Sequence, residues 1–194
     1  MLQLEPYTLD LTDVVRLSDD DLWKICAANP DLRIERNAAG QLEIMSPTGA
    51  KSGLCEIKIA TAVENWNEKS GLGVVLSSSV GYILPNTAMR APDVSWTPVE
   101  RWNALTDKDA EKFWRNVPDF LVEIRSPSDR LGVLQRKMQE WIKNGCRLAW
   151  LVDPKQKRVW IYRPDSEARE APWGSHLSGE DVLPGFIFDL KRLP

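Results

Sequence analysis

The sequence predicts an α/β protein, a mixed central sheet with helices on its faces, in a single domain spanning 1–194. Two observations carry this. Residues 119–153 read strand, helix, strand, and strands joined that way pair in parallel through a right-handed crossover. Residues 73–125 read as strands joined by turns, an antiparallel meander beside that unit. From residue 50 the order is therefore helix, strand, strand, strand, helix, strand.

Taken in order, Ser18 followed by Asp19, Asp20 and Asp21 opens a first helix. The hydroxyl caps free N–H groups, the acids face the positive end of the dipole, and Asn29-Pro30 ends the helix. LRIER (32–36) and LEIMS (42–46) flank a Gly40 turn and form a β-hairpin. Ser46-Pro47-Thr48-Gly49 leads into a long helix that stops at Ser70-Gly71 and carries the stripe Cys55, Ile59, Ala62, Val63, Trp66. GVVLSSSVGYILP (73–85) and MRAPDVSWTP (89–98) are expected as paired strands around Pro85-Asn86. A helical or irregular excursion from Trp102 to Trp114 precedes the strand FLVEIR (120–125). Asp129 is expected to cap the next helix, whose stripe is Leu131, Leu134, Met138, Trp141 and Ile142 and whose stop is Gly145. RLAWLVD (147–153) is a buried strand, turned back through Asp153–Arg158 into VWIYR (159–163), and the tail from His176 reads as loops with one short strand.

Composition narrows the chemistry. Hydrophobic content of 43% and charged content of 27% are those of a soluble globular chain. No apolar run approaches the ~20 residues of a membrane span, and the N-terminus lacks a basic leader, so a cytoplasmic protein is expected. Cys26, Cys55 and Cys146 lie apart among apolar residues, as reduced thiols do. The single histidine, His176, sits in the tail, which argues against a Ser-His-Asp triad, a histidine zinc site or a histidine base. Carboxylates, lysine, arginine and a hard metal ion remain. Net charge is −3, yet residues 130–163 carry nine basic and two acidic side chains. That block suits either a polyanion partner or a solvated helix face with a hairpin tip. The nine tryptophans fall mostly on apolar stripes and read as core or dimer-interface residues.

Strand alternation puts Leu121, Glu123 and Arg125 on one face and Phe120, Val122 and Ile124 on the other. Glu123 and Arg125 are then either a solvent-facing ion pair or part of a site. Asp93 precedes Glu123 by 30 residues on the neighbouring strand. Strands lie ~4.8 Å apart, so carboxylates at matching depth can share one cation. Paired carboxylate oxygens suit Mg²⁺ (or Mn²⁺), which activates water and neutralises charge on a phosphate under attack. The accompanying cation is either Arg125, which stays protonated, or Lys137, about 90° from the centre of the apolar stripe of its helix, where a long side chain reaches a strand end.

Pro92-Asp93, Glu123-Ile124-Arg125 and the αβββαβ order resemble the PD-(D/E)XK nuclease superfamily, with its restriction-endonuclease-like fold. More closely, MSPTG, RAPDVSW, the block from Pro118 to Pro154, and SGEDVLPGF resemble the Uma family of endonucleases. The resemblance covers nearly the whole chain and implies Asp93 and Glu123 as metal ligands. The superfamily's lysine position falls on Arg125, with Lys137 as the candidate migrated replacement, and Glu35 matches an acid common in the family. The reading that follows is a Mg²⁺-dependent endonuclease acting on DNA, with a homodimer suited to cutting two strands. A catalytically inactive nucleic-acid- or partner-binding module on the same fold is the alternative. A glycosidase using the carboxylate pair is a third class, for which nothing in the sequence suggests a sugar cleft.

Overall fold

The computed structural model describes residues 7–194, so the first six residues of the expected domain lie outside the described residues. β1 (Tyr7–Leu9) is followed by α1 (Asp19–Ala28). Ser18 and Asp21 close a capping box on α1: the Asp21 N–H donates to Ser18 Oγ and the Ser18 N–H to Asp21 Oδ2, each at 3.1 Å. β2 (Arg33–Arg36) and β3 (Leu42–Met45) form the expected hairpin. α2 (Ala50–Ser70) ends where Gly71 takes the left-handed conformation at φ 63° and returns its N–H to the Asn67 carbonyl.

The next region departs from expectation. Each of the two long strands predicted over 73–85 and 89–98 breaks in two, giving β4 (Gly73–Ser77), β5 (Tyr82–Ile83), β6 (Met89–Arg90) and β7 (Val94–Pro98). The outer pieces β4 and β7 pair in the main sheet, whereas β5 and β6 form a small hairpin that joins β2. The breaks have local causes. A turn closes from the Val80 N–H to the Ser77 carbonyl, and Pro92, lacking an N–H, cannot continue a ladder. Gly81 packs so closely on Phe113 that a Cβ would stand 2.6 Å from its ring.

α3 (Val99–Asn103) and α4 (Asp107–Ala110) make up the excursion before β8 (Phe120–Ile124), α5 (Leu131–Lys143), β9 (Leu148–Asp153) and β10 (Arg158–Tyr162). Asp129 does not cap α5; its Oδ2 accepts from the Ser126 N–H at 2.7 Å, closing the turn before it, and Arg130 holds the N-cap position without a side-chain capping bond. β11 (Arg169–Ala171), β12 (His176–Ser178) and β13 (Ile187–Asp189) follow, so the tail from His176 holds two short strands where one was expected.

The main sheet runs β11-β10-β9-β8-β7-β4, with β8 and β9 parallel and the other pairs antiparallel. A second sheet, β1-β3-β2-β6-β5, stands beside it. Alternation along the central strands sorts the core. Phe120, Val122, Ile124, Trp150 and Val152 pack with Cys55, Ile59 and Val63 of α2. Leu121, Ala149 and Leu151 pack with Met138 and Trp141 of α5. Glu123 shares the α5 face with Leu121 and is likewise buried. Among the described residues no helix is long and apolar enough to cross a membrane.

One turn is strained. The β5–β6 connection closes from the Thr87 N–H to the Leu84 carbonyl and leaves Thr87 at φ 70°, which a β-branched residue rarely adopts. Its carbonyl accepts from the Arg36 guanidinium, so the backbone direction is needed and the side chain is not. Thr87→Gly is expected to stabilise the protein by about 1 kcal/mol, a rise of roughly 2–4 °C in melting temperature by calorimetry.

Candidate functional site

The register of β7 on β8 sets Val94 opposite Val122, and one further step brings Asp93, just before β7, opposite Glu123. Directly opposed residues carry their side chains on one face, so both carboxylates rise toward α5 and the β2–β3 hairpin. The Ile124 N–H donates to Asp93 Oδ2 at 2.7 Å and fixes that carboxylate. Trp141 Nε1 donates to Glu123 Oε1 at 3.1 Å. Lys137, one helical turn earlier on α5, places Nζ 2.9 Å from Glu123 Oε1 and 2.9 Å from Glu35 Oε1. Three of the predicted residues, Glu35, Glu123 and Lys137, are thus in direct contact, and Asp93 adjoins them.

Arg125 goes elsewhere. It lies on the same strand face as Glu123, but its Nη1 is 2.7 Å from Asp153 Oδ2 at the end of β9, and its Nε donates to the Asp129 carbonyl at 3.1 Å. Lys137 is therefore the cation the fold sets against Glu123. Burial opposes its charge, yet Glu123 and Glu35 hold its pKa up at about 12, so it stays protonated.

Several participants escaped the sequence reading. Arg90 on β6 ties three acids together: Nη1 to Glu35 Oε2 at 3.1 Å and to Glu43 Oε2 at 2.5 Å, and Nε to Glu140 Oε2 at 2.7 Å. Arg33 on β2 stands 3.6 Å from Asp93 Oδ1. The available signal was spacing: Arg33 is two residues from Glu35 on one strand face, and Glu140 is three residues from Lys137 on one helix.

Charge does not balance in this network. Glu35, Glu43, Asp93, Glu123 and Glu140 share Arg33, Arg90 and Lys137, an excess of two negative charges when every carboxylate is ionised. The excess falls on two residues. Burial, with help from Glu123, pushes Asp93 up to about 7. Burial also raises Glu123, against the pull of Lys137. Glu35 goes the other way: despite burial, Lys137 and Arg90 bring it down to about 2. Carboxylates raised by burial together with a specific charge partner, and placed in a cleft, are candidates for a functional site.

The donor set fits Mg²⁺ or Mn²⁺. No group of three His, Cys, Asp or Glu able to hold a metal occurs among the described residues, so a metal in this cleft would have the pair Asp93 and Glu123 as its protein ligands. Mg²⁺ is commonly held by one or two carboxylates, with waters and substrate phosphates completing its shell. Glu123 Oε1 and Asp93 Oδ2 are engaged, while Glu123 Oε2 and Asp93 Oδ1 accept no hydrogen bond from described residues. Both carboxylates line a cleft of about 60 Å³ with Arg33, Ser126, Ser128 and Lys137, room for an ion with a few waters. A larger surface hollow of about 520 Å³ beside Pro85, Arg101 and Asn116 has a single carboxylate, Asp19, in its lining.

Comparison with known proteins bears on the fold and the family. The crystal structure of a "putative nuclease belonging to DUF820" from Anabaena variabilis superposes with a TM-score of 0.76. It covers 91% of this chain and 97% of its own at 16% sequence identity, a likeness of fold. No curated protein matches the chain. The model of the Uma2 family, described as "Putative restriction endonuclease", matches residues 19–191, a span that takes in the whole main sheet, α5 and every residue of the cleft. With that match over most of its length, the chain belongs to the Uma2 family.

Proposed function

We propose that this protein is a metal-dependent endonuclease that hydrolyses DNA phosphodiester bonds, with Asp93 and Glu123 as ligands of Mg²⁺ (or Mn²⁺). The observation that carries the reading is the two-charge excess of the network, lodged on two opposed, buried carboxylates whose charged forms burial disfavours. A divalent ion removes that excess. When bound, it supplies an activated water and neutralises charge on the phosphate.

The protein's own groups set the stage. The Ile124 N–H orients Asp93, and Trp141 and Lys137 orient Glu123. Lys137, held protonated, cannot accept a proton from water; it offers fixed positive charge beside the reacting phosphate. Glu35, itself held by Arg90 and the Ala91 N–H, keeps the ammonium in place. Lys155 and Lys157 are exposed on the turn after β9, beyond the strand end next to Glu123, as a polyanion surface requires. A homodimer would bring two clefts to the two strands of a duplex. The endonuclease reading is preferred to an inactive module because Lys137 sets an ammonium 2.9 Å from Glu123 while Arg125, at the superfamily's lysine position, pairs with Asp153.

Calorimetric titration with Mn²⁺ tests the reading. Binding is expected at pH 8 and should weaken about tenfold per pH unit below 7, because the ion must displace the proton that Asp93 holds there. Asp93→Ala is expected to abolish it, together with nicking of plasmid DNA. A wild type that binds no Mn²⁺ at pH 8, or an alanine variant that nicks plasmid undiminished, sinks the proposal.

A further inference from the structure

The cleft contains one cation to which the proposed chemistry gives no task. Pairing of β2 with β3 sets Arg33 opposite Met45 and Glu35 opposite Glu43, so all four share one face of the hairpin, with Arg33 and Met45 lining the cleft. Glu35 and Glu43 are engaged by Lys137 and Arg90. Arg33 is not comparably spent. Its Nη2 donates to the Ala91 carbonyl at 2.9 Å, and its distance of 3.6 Å from Asp93 Oδ1 is too long for a hydrogen bond. Its Nε is buried without an acceptor among the described residues, a state folded proteins rarely leave standing. The side chain is 32% exposed, so it stands at the mouth of the cleft and not on its floor. Ser46, Thr48, Ser126 and Ser128 line the same mouth, with the last two hydroxyls 2.8 Å apart.

We propose that Arg33 is the substrate-binding residue that takes the oxygens of the phosphodiester under attack; this rests on the nuclease reading. A planar guanidinium presents a fork of donors matched to phosphate oxygens, and the Ala91 bond holds Nη2 while Nη1 and the buried Nε have no acceptor among the described residues. The position explains why the charge is tolerated beside a metal ligand. Alone, Arg33 opposes a cation at Asp93. With a phosphate between them, both positive charges meet the same anion, so metal and substrate bind cooperatively.

The test reads binding of a fluorescein-labelled DNA duplex by anisotropy, with EDTA present so that no cleavage competes, across a salt series. Arg33→Ala is expected to weaken binding about tenfold and to lower the log–log salt slope by about one. Arg33→Lys should restore the slope but only part of the affinity, since the charge returns without the fork. In the absence of DNA, Mn²⁺ should bind Arg33→Ala as tightly as wild type or more tightly. Unchanged duplex affinity and slope in Arg33→Ala, in a wild type that binds and cuts, overturns this assignment and leaves the nuclease reading intact. Loss of Mn²⁺ binding in Arg33→Ala marks Arg33 as a prop for Asp93 and also overturns it. A wild type that binds no duplex in EDTA and cuts none with Mn²⁺ overturns both.

Discussion

Glu123→Gln is expected to reduce plasmid cleavage on the order of 10³-fold while raising the melting temperature of the metal-free protein at pH 8. The two effects have one cause. Glu123 is buried and its pKa raised, so the folded state binds a proton there more tightly than the unfolded chain does. Metal-free stability contributed by this group therefore falls as pH rises through the raised pKa, and the penalty is fully present above it. Asp93, moved from 3.8 to about 7, acts in the same direction. Glu35, brought down to about 2, contributes stability that is present above its ordinary pKa and lost only as pH falls toward 2. Metal-free stability should then peak near pH 5, decline toward pH 8, and recover when Mn²⁺ is added. Glutamine retains an acceptor for Trp141 and Lys137 but removes the surplus charge, so the decline should flatten and stability at pH 8 should rise by about 1 kcal/mol. A structural ion pair would give the opposite sign. A calorimetric melting point that falls in Glu123→Gln at pH 8 would count decisively against a metal centre here.

The parts of this arrangement that were legible in the sequence depend on local periodicity. The two-residue repeat of β8 separates Glu123 from Val122 and Ile124, and the helical repeat of α5 puts Lys137 at the edge of the stripe that holds Met138 and Trp141. The αβββαβ order needs only the lengths of those elements. Long-range pairing was not legible. Nothing near residue 90 announces that the strand predicted over 73–85 stops at Ser77 and resumes at Tyr82, yet that break lets β6 leave the main sheet and join β2. The move carries Arg90 against Glu35, Glu43 and Glu140, acids from three other elements. Arg125 shows the converse limit. Alternation assigned its face correctly, but Asp153, at the end of a parallel neighbour 28 residues away, takes its guanidinium. Asp129 failed as a helix cap for a similar reason, because the Ser126 N–H lay within reach of its carboxylate.

Lys137→Met separates the two cations that the sequence left in competition. Its loss is expected to lower the cleavage rate about 10²–10³-fold, the usual effect of removing one preorganised charge from a transition state. Metal binding should survive. Taking away an ammonium 2.9 Å from Glu123 leaves the carboxylate pair more negative, so Mn²⁺ affinity at pH 8 should hold or increase. Stability should move the other way, because Glu123 then lies buried with Trp141 Nε1 as its only hydrogen-bond donor among the described residues, and stranding a buried charge costs about 3–5 kcal/mol. The deficit must shrink as pH falls toward 5, since without Lys137 Glu123 takes up a proton at higher pH than before. Saturating Mn²⁺ should recover most of it at pH 8. Arg125→Ala differs on each count: it uncovers Asp153, which has no solvent exposure, so stability falls while cleavage per folded molecule stays within a few-fold of wild type. Rates measured at matched folded fractions decide the matter. If Lys137→Met cuts DNA as fast as wild type and Arg125→Ala does not, the cation beside the phosphate is Arg125, and Lys137 serves only to hold Glu35 and Glu123 together.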